Sequence, residues 1–507
     1  MRKYLVFLCV AVLGIMGASD VFAGGIDSRT NWSAEYIRTL SRNAATDAAD
    51  VVVYNPAGTI GLKDGFHIGF SNQYIIKKQS QRTEHTDYAN APLGPDASGR
   101  RAAMPTYEFT DTTPVPFLPS LFLAYKTGEM AVFGAMTIVG GGGTIQYDEM
   151  SYTAYKYLNP VAQGRSSSMT ADLKSSDIYY GFTVGGAYDV VKDMVSVAVA
   201  GRVVIQDKKN ELKGSASSDL TYLGSTRQSI DLDVKYGEHS RGFGGILGVN
   251  IKPVKEMNIG IRYETVTRLV RKYTVKDDEI SVSSSGNAGN AVATVLKNTL
   301  SNKDHNQSDS ALGDKYYSRD LPPVLGLGIA YDVMDGLKVS ASYTCYFNKD
   351  ANWQEPTRPR ETPGTQQNIY NNTVHGRQVQ KNYDSSHDLG IGVEFDVTKE
   401  LRLSAGYLYN VMGTRESWYK ENTENIEFPY SNAVSAGFRF MAMEGLAINF
   451  GVMRVFYPEF KTNKFQAKEF AYDIDSSANQ TTYQSHLQSM TFNKDIWNIS
   501  FGVNYSI

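Results

Sequence analysis

Cations set against an apolar pattern are the first chemistry the sequence offers. Arg202, Arg262, Arg402 and Arg439 stand in segments where large apolar residues alternate with small or polar ones, on the face opposite the apolar one. Turned inward together, such guanidiniums could hold a ligand carboxylate through charge-assisted hydrogen bonds. They could equally pair with Asp388, Glu264 or Glu394 as an internal salt-bridge network. Other chemistry is poorly supplied. The seven histidines, including His67, His239 and His387, lack metal-ligand spacing, so no metal is implied. Ser386-His387 faces no carboxylate that would complete a triad. The run from Gly242 to Gly248 has the wrong spacing for a dinucleotide loop and lies in an alternating stretch. No catalytic residue and no cofactor follows, and the chain reads as a non-enzyme.

The elements that must position these arginines are strands. At the C-terminus Trp497, Ile499, Phe501, Val503, Tyr505 and Ile507 alternate with Asn498, Ser500, Gly502, Asn504 and Ser506. Side chains on a strand point to opposite faces in turn, so one face here is apolar and the other small and polar. The alternation lasts about the 9–11 residues that a tilted strand needs to cross a bilayer. It recurs over Leu401–Val411, Asp388–Val397, Leu337–Phe347 and Val434–Phe440. Charge and glycine share the second face, which suits a hydrated barrel interior and would be costly in a sealed core.

Connections alternate in length. Short turns fall at Thr127–Glu129, Val191–Asp193, Pro253–Glu256, Met334–Gly336, Thr398–Glu400 and Met443–Gly445. Long polar segments lie near 79–115, 141–171, 209–232, 276–320, 349–381, 413–429 and 459–491. Tight periplasmic turns and long outer loops mark outer-membrane barrels. About 14 strands are expected, starting near 65, 117, 129, 172, 194, 236, 257, 321, 337, 382, 400, 430, 446 and 492. Tyr74, Tyr188, Tyr263, Tyr331, Tyr343, Tyr407 and Tyr505 fall near strand ends, where amphipathic rings suit the membrane interface. The fold class is therefore all-β: an antiparallel transmembrane barrel in the outer membrane of a Gram-negative bacterium.

Composition agrees once it is read this way. A mean hydropathy of −0.33 over 507 residues looks soluble, but alternating strands average to moderate values. A net charge of −3 gives no basic field for nucleic acid. Residues 1–23 read as a signal peptide, with Arg2 and Lys3, an apolar run from Leu5 to Met16, and small residues before the cleavage site at Ala23. Its removal takes Cys9 and leaves Cys345 alone, so no internal disulfide forms.

Residues 24–64 differ from the rest. Ser33–Leu40 is helix-like, Asn43–Asp50 is small and polar, and Val51–Gly58 closes on Asn55-Pro56-Ala57-Gly58. A barrel of about 14 strands is too wide for its own side chains to fill. This segment is either its plug or a periplasmic tail.

Ala45–Gly58 followed by Leu62–Phe70, together with Val115–Tyr125 leading into Val132–Thr137, resembles the FadL/TodX family of outer-membrane transporters. The resemblance implies a barrel over 65–507, a hatch over 24–64 with Asn55, Pro56, Ala57 and Gly58 as its motif, and cargo of long-chain fatty acids or other hydrophobic small molecules. It also implies a kinked third strand that opens a side window. Gly140, Gly141, Gly142 and Gly143 are the residues that would end or interrupt that strand. A plain outer loop starting at Gly140 is the other reading. Lateral exit would deliver an acyl chain into lipid, a better solvent by about 0.8 kcal/mol per CH₂. Val292, Val295, Leu296 and Thr299 would share one helical face in an outer loop, either as a capture platform or packed on the loop itself.

Expected partners are the hydrophobic cargo, outer-membrane lipid and lipopolysaccharide, and the barrel assembly machinery, with the chain as a monomer. An aqueous diffusion porin and a surface adhesin or phage receptor remain alternatives.

Overall fold

The computed structural model describes residues 32–85, 107–147, 150, 158, 165–219, 227–274, 280–286, 289–290, 293, 315–356, 376–378, 383–415, 428–462 and 487–507. Fourteen antiparallel strands form a closed barrel. In chain order they are β1 (Gly65–His85), β2 (Val115–Thr127), β3 (Met130–Tyr147), β4 (Arg165–Val191), β5 (Val195–Asp219), β6 (Gln228–Val254) and β7 (Met257–Glu264). The series continues with β8 (Val324–Met334), β9 (Leu337–Tyr346), β10 (Ser386–Asp396), β11 (Leu401–Val411), β12 (Tyr430–Met443), β13 (Leu446–Phe456) and β14 (Leu487–Ser506). β14 closes on β1 from His67↔Ser506 upward, which leaves no sheet edge at the seam.

Starts of β1, β7, β9, β12 and β13 fall where the sequence places them. Several strands reach well into the segments expected to be loops: β4 has 27 residues, β5 has 25 and β6 has 27. On β5 the outward face is apolar from Val195 to Ile205 and then turns to Asp207, Lys209, Glu211 and Lys213. The apolar stretch is the membrane crossing. Beyond it the backbone ladder continues in water, where the outward residues have no reason to be apolar. The signal-peptide residues and Val292, Val295, Leu296 and Thr299 lie outside the described residues.

The inward face matches the alternation. On β14, Asn498 and Ser500 are buried, while Trp497, Phe501 and Tyr505 are exposed on the outer wall. Against this inner face packs the N-terminal segment: helix α1 (Ala34–Thr39), helix α2 (Val51–Tyr54) and a 3₁₀ turn over Pro56–Gly61. Ser33 caps α1, its hydroxyl accepting from Tyr36 N–H at 3.0 Å and donating to Asp50 at 2.8 Å. Leu40 ends the helix in a left-handed conformation.

Glycines on the strands make the bed for this segment. A methyl group at Gly390 would collide with the Leu40 carbonyl, at Gly260 with the Asn43 carbonyl, and at Gly406 with the Thr39 carbonyl. The polar face is thus small because another backbone lies on it. Toward the loop end, Thr267, Leu269, Leu321, Trp353 and Tyr383 are buried, with Trp353 and Tyr383 in edge contact at 4.5 Å.

Candidate functional site

The site is built around the inner surface of β3 and the segment packed on it. The Asn55 side chain bonds outside its own turn. Its amide donates to Ala45 O at 3.0 Å and to Asn250 on β6 at 2.7 Å, and Asn258 on β7 donates to Ala44 O at 2.8 Å. Pro56 begins the 3₁₀ turn, where its lack of an N–H costs nothing. The Ala57 carbonyl accepts from Ser196 on β5 at 2.8 Å. Gly58 is close-packed, but on its own segment: a methyl group there would meet Asn55 and Ala45 rather than the wall.

Charge fixes the rest. Arg38, buried, donates to Glu394 and Ser404 on β10 and β11 and to Asn449 on β13. Arg42 pairs with Asp50 at 2.5 Å and Asp47 at 2.8 Å. Glu35 accepts from Asn449 and Asn504. Burial, reinforced by the Asp50 charge, pushes its carboxyl up to about 7.

The four candidate arginines all point inward, and they separate into two groups. Arg402 and Arg439 face Asp47 at 3.8 and 3.6 Å, and Arg402 also holds Asp396 at 2.5 Å. These two tie the segment to the wall. Arg202 pairs with Glu264 at 2.6 Å; Arg262 donates to Val53 O, lies 3.4 Å from Glu264 and stands over the Trp32 ring. Arg202, Arg262 and Glu264 line a small cavity with Trp32, Val139, Val324 and Tyr346. Asp388 accepts instead from Tyr346 and Asn410.

Next to this cavity the wall is incomplete. β2 and β3 pair only from Thr127↔Met130 to Leu121↔Met136. Farther out β2 stays with β1, and β3 stays with β4. Gly140–Gly143 do not end the strand, which runs on to Tyr147 through two register shifts, at Ile138/Gly140 and Gly140/Gly143. The bulge needs glycine: φ is +87° at Gly141 and +81° at Gly143, and added methyls would strike Asp177 O and Val115.

Side chains stitch the gap. Trp32 Nε1 donates to Ile138 O at 3.0 Å. Lys77 Nζ donates to Thr144 O at 2.6 Å and pairs with Asp111 at 3.0 Å. Asp111 also accepts from Gln146 N–H at 3.2 Å. Sequence reasoning missed Trp32, Lys77 and Asp111. The one signal it held was Pro116 and Pro119, since a strand with two missing N–H groups suits an edge.

A family model described as outer membrane protein transport protein (OMPP1/FadL/TodX) matches residues 14–506. Comparison with curated proteins finds no match. Among solved structures, a Pseudomonas aeruginosa FadL homologue is 15% identical with a TM-score of 0.61, covering 95% of this chain and 99% of its own. The Pseudomonas putida toluene transporter TodX is 12% identical with a TM-score of 0.53, covering 92% and 97%. The Ralstonia pickettii toluene transporter TbuX is 13% identical with a TM-score of 0.50, covering 91% and 94%. At these identities the likeness is one of fold.

Proposed function

Since the chain belongs to the OMPP1/FadL/TodX family and is an outer-membrane channel for hydrophobic compounds, we propose that it admits long-chain fatty acids passively and releases them sideways into the bilayer. In this reading residues 24–64 are a hatch. Cargo captured by the outer loops reaches the cavity beside Trp32, the hatch shifts, and the acyl chain leaves between β2 and β3. No energy source is needed, because the chain moves from water to lipid.

The observation that carries this reading is the unpaired stretch of β2 and β3 next to a cavity of net positive charge. Arg202 and Arg262 against Glu264 leave one surplus cation, and Arg202 Nε has no hydrogen-bond partner among the described residues. A carboxylate would supply that partner. Fatty acid is favoured over a neutral hydrocarbon for this reason.

Proteoliposomes test it. The protein should speed entry of oleate, and Arg202→Gln with Arg262→Gln should slow oleate by roughly tenfold or more, the worth of a charged hydrogen bond, while sparing toluene. Equal loss for both compounds would reject the carboxylate assignment. Gly142→Trp should slow both, and unchanged entry there would reject the sideways route.

A further inference from the structure

The outer wall carries charge beyond the apolar band in two regions, and they differ. On β5 and β6 the charges cancel: Lys209 lies 3.4 Å from Asp207, His239 2.9 Å from Asp207, and Lys213 3.6 Å from Asp233. On β13, β14 and β1 they do not. Arg454 alternates outward with Ile448, Phe450 and Val452 on β13, among lipid-facing residues. Its guanidinium stands 4.7 Å from the Phe456 ring and 5.0 Å from the Trp497 ring. Asp495 holds it at 3.3 Å. Lys78 is opposite Asp495 in the ladder, and Arg82 is opposite Thr491, four residues farther along β1. Both are exposed, and neither has a salt-bridge or hydrogen-bond partner among the described residues. Glu108 stands opposite Arg82 on its other side, and Lys461 opposite Thr491, so among the described residues the patch holds four cations, Arg454, Lys78, Arg82 and Lys461, and two carboxylates, Asp495 and Glu108.

Its height and surroundings identify the occupant. Arg454 and Lys78 stand at the loop end of the crossing, level with the exposed rings of Trp497 and Phe456, where a bilayer surface meets the barrel, and Arg82 lies four residues farther out. A cation on the lipid face is costly at mid-bilayer and tolerated near its surface, where anionic head groups lie. The long loops place this end at the outer leaflet. We propose that the β13–β14–β1 face docks the phosphate groups of the phosphorylated saccharolipid of that leaflet, lipid A. Lys78 and Arg82 supply charge in excess of Asp495 and Glu108, Arg454 is oriented by its two rings, and the rings take the edge of the acyl chains. The assignment does not depend on the cargo.

Full-chain protein, stripped of lipid in detergent, is titrated with lipid A and with lipid A lacking its phosphates, and bound lipid is read by native mass spectrometry. Wild type should prefer the phosphorylated form. Lys78→Gln with Arg82→Gln should weaken binding of that form by roughly fivefold per cation and leave the other unchanged. Lys209→Gln with Lys213→Gln on the self-neutralised wall should change neither, and Lys78→Arg with Arg82→Lys should keep binding, which separates lost charge from lost fold. Equal affinity for the two lipids, or equal loss in the β5 pair, would overturn the proposal.

Discussion

At the scale of the residue, the interior is a set of buried and half-buried charges whose partners come from both the N-terminal segment and the wall. Arg38 reaches across to Glu394 and Asp47 to Arg402 and Arg439, while Arg42 holds Asp47 from within the same segment, so removing one partner leaves another uncompensated. Glu35 is the member whose state changes near neutral pH. Its carboxyl stands near 7 in the fold against an ordinary value of 4.5. A raised folded value means that the ionised form is penalised. The stability it withholds is therefore restored as pH falls below about 7 and is fully withheld above it.

Hydrogen exchange of the α1 amides should be slower at pH 5.5 than at pH 8 after correction for intrinsic rates. Glu35→Gln should remove that difference and slow exchange at pH 8 by roughly tenfold, the scale of one pKa unit. An unchanged pH dependence in Glu35→Gln would show that Glu35 is not its source. Of these residues the sequence marks the inward arginines, because alternation assigns the face. It does not mark their partners, because Arg38 and Glu394 lie 356 positions apart and no local pattern links them.

At the scale of the element, strands are legible where the outward face must be apolar and obscure where it need not be. β14 can be read residue by residue from Trp497 to its end, though its first residues, from Leu487, fall in a segment read as loop. The outer halves of β4, β5 and β6 cannot, since Lys208-Lys209-Asn210-Glu211 reads as loop yet lies inside a strand. The glycines of the inner face can be found in the sequence, but their cause cannot, because it is the backbone of the N-terminal segment.

This gives a prediction. Gly260→Ala would force Asn43 away from β7, and Gly406→Ala would force Thr39 away from β11. Either change should lower thermal stability by about 1–3 kcal/mol, the usual cost of overpacking, and raise ion conductance in planar bilayers. Wild-type stability and silence in both variants would mean that the segment rests elsewhere. The break between β2 and β3 is half legible: Gly140–Gly143 and the two prolines mark weak pairing, but Trp32, which bonds to Ile138 beside it from the N-terminal segment, sits 106 residues away.

At the scale of the whole molecule, closure and filling are separate problems. Fourteen strands close into a barrel, with β2 and β3 paired over only part of their length, and the N-terminal segment packs inside it where the strands' own side chains cannot fill the lumen. A lumen filled this way should conduct ions poorly. Wild-type protein is expected to show little steady conductance, and variants lacking the anchor, such as Arg38→Met with Arg42→Met, should show more. Large conductance in the wild type would instead favour a diffusion pore.

Closing the gap between β2 and β3 reversibly asks whether the proposed cargo leaves through the wall there. Leu118→Cys with Val139→Cys places a thiol on each strand beyond the last paired rung, Leu121↔Met136. Oleate entry into proteoliposomes should fall when the pair is oxidised and return when it is reduced, with the same protein in the same membrane. Equal entry in the oxidised and reduced states would contradict the account.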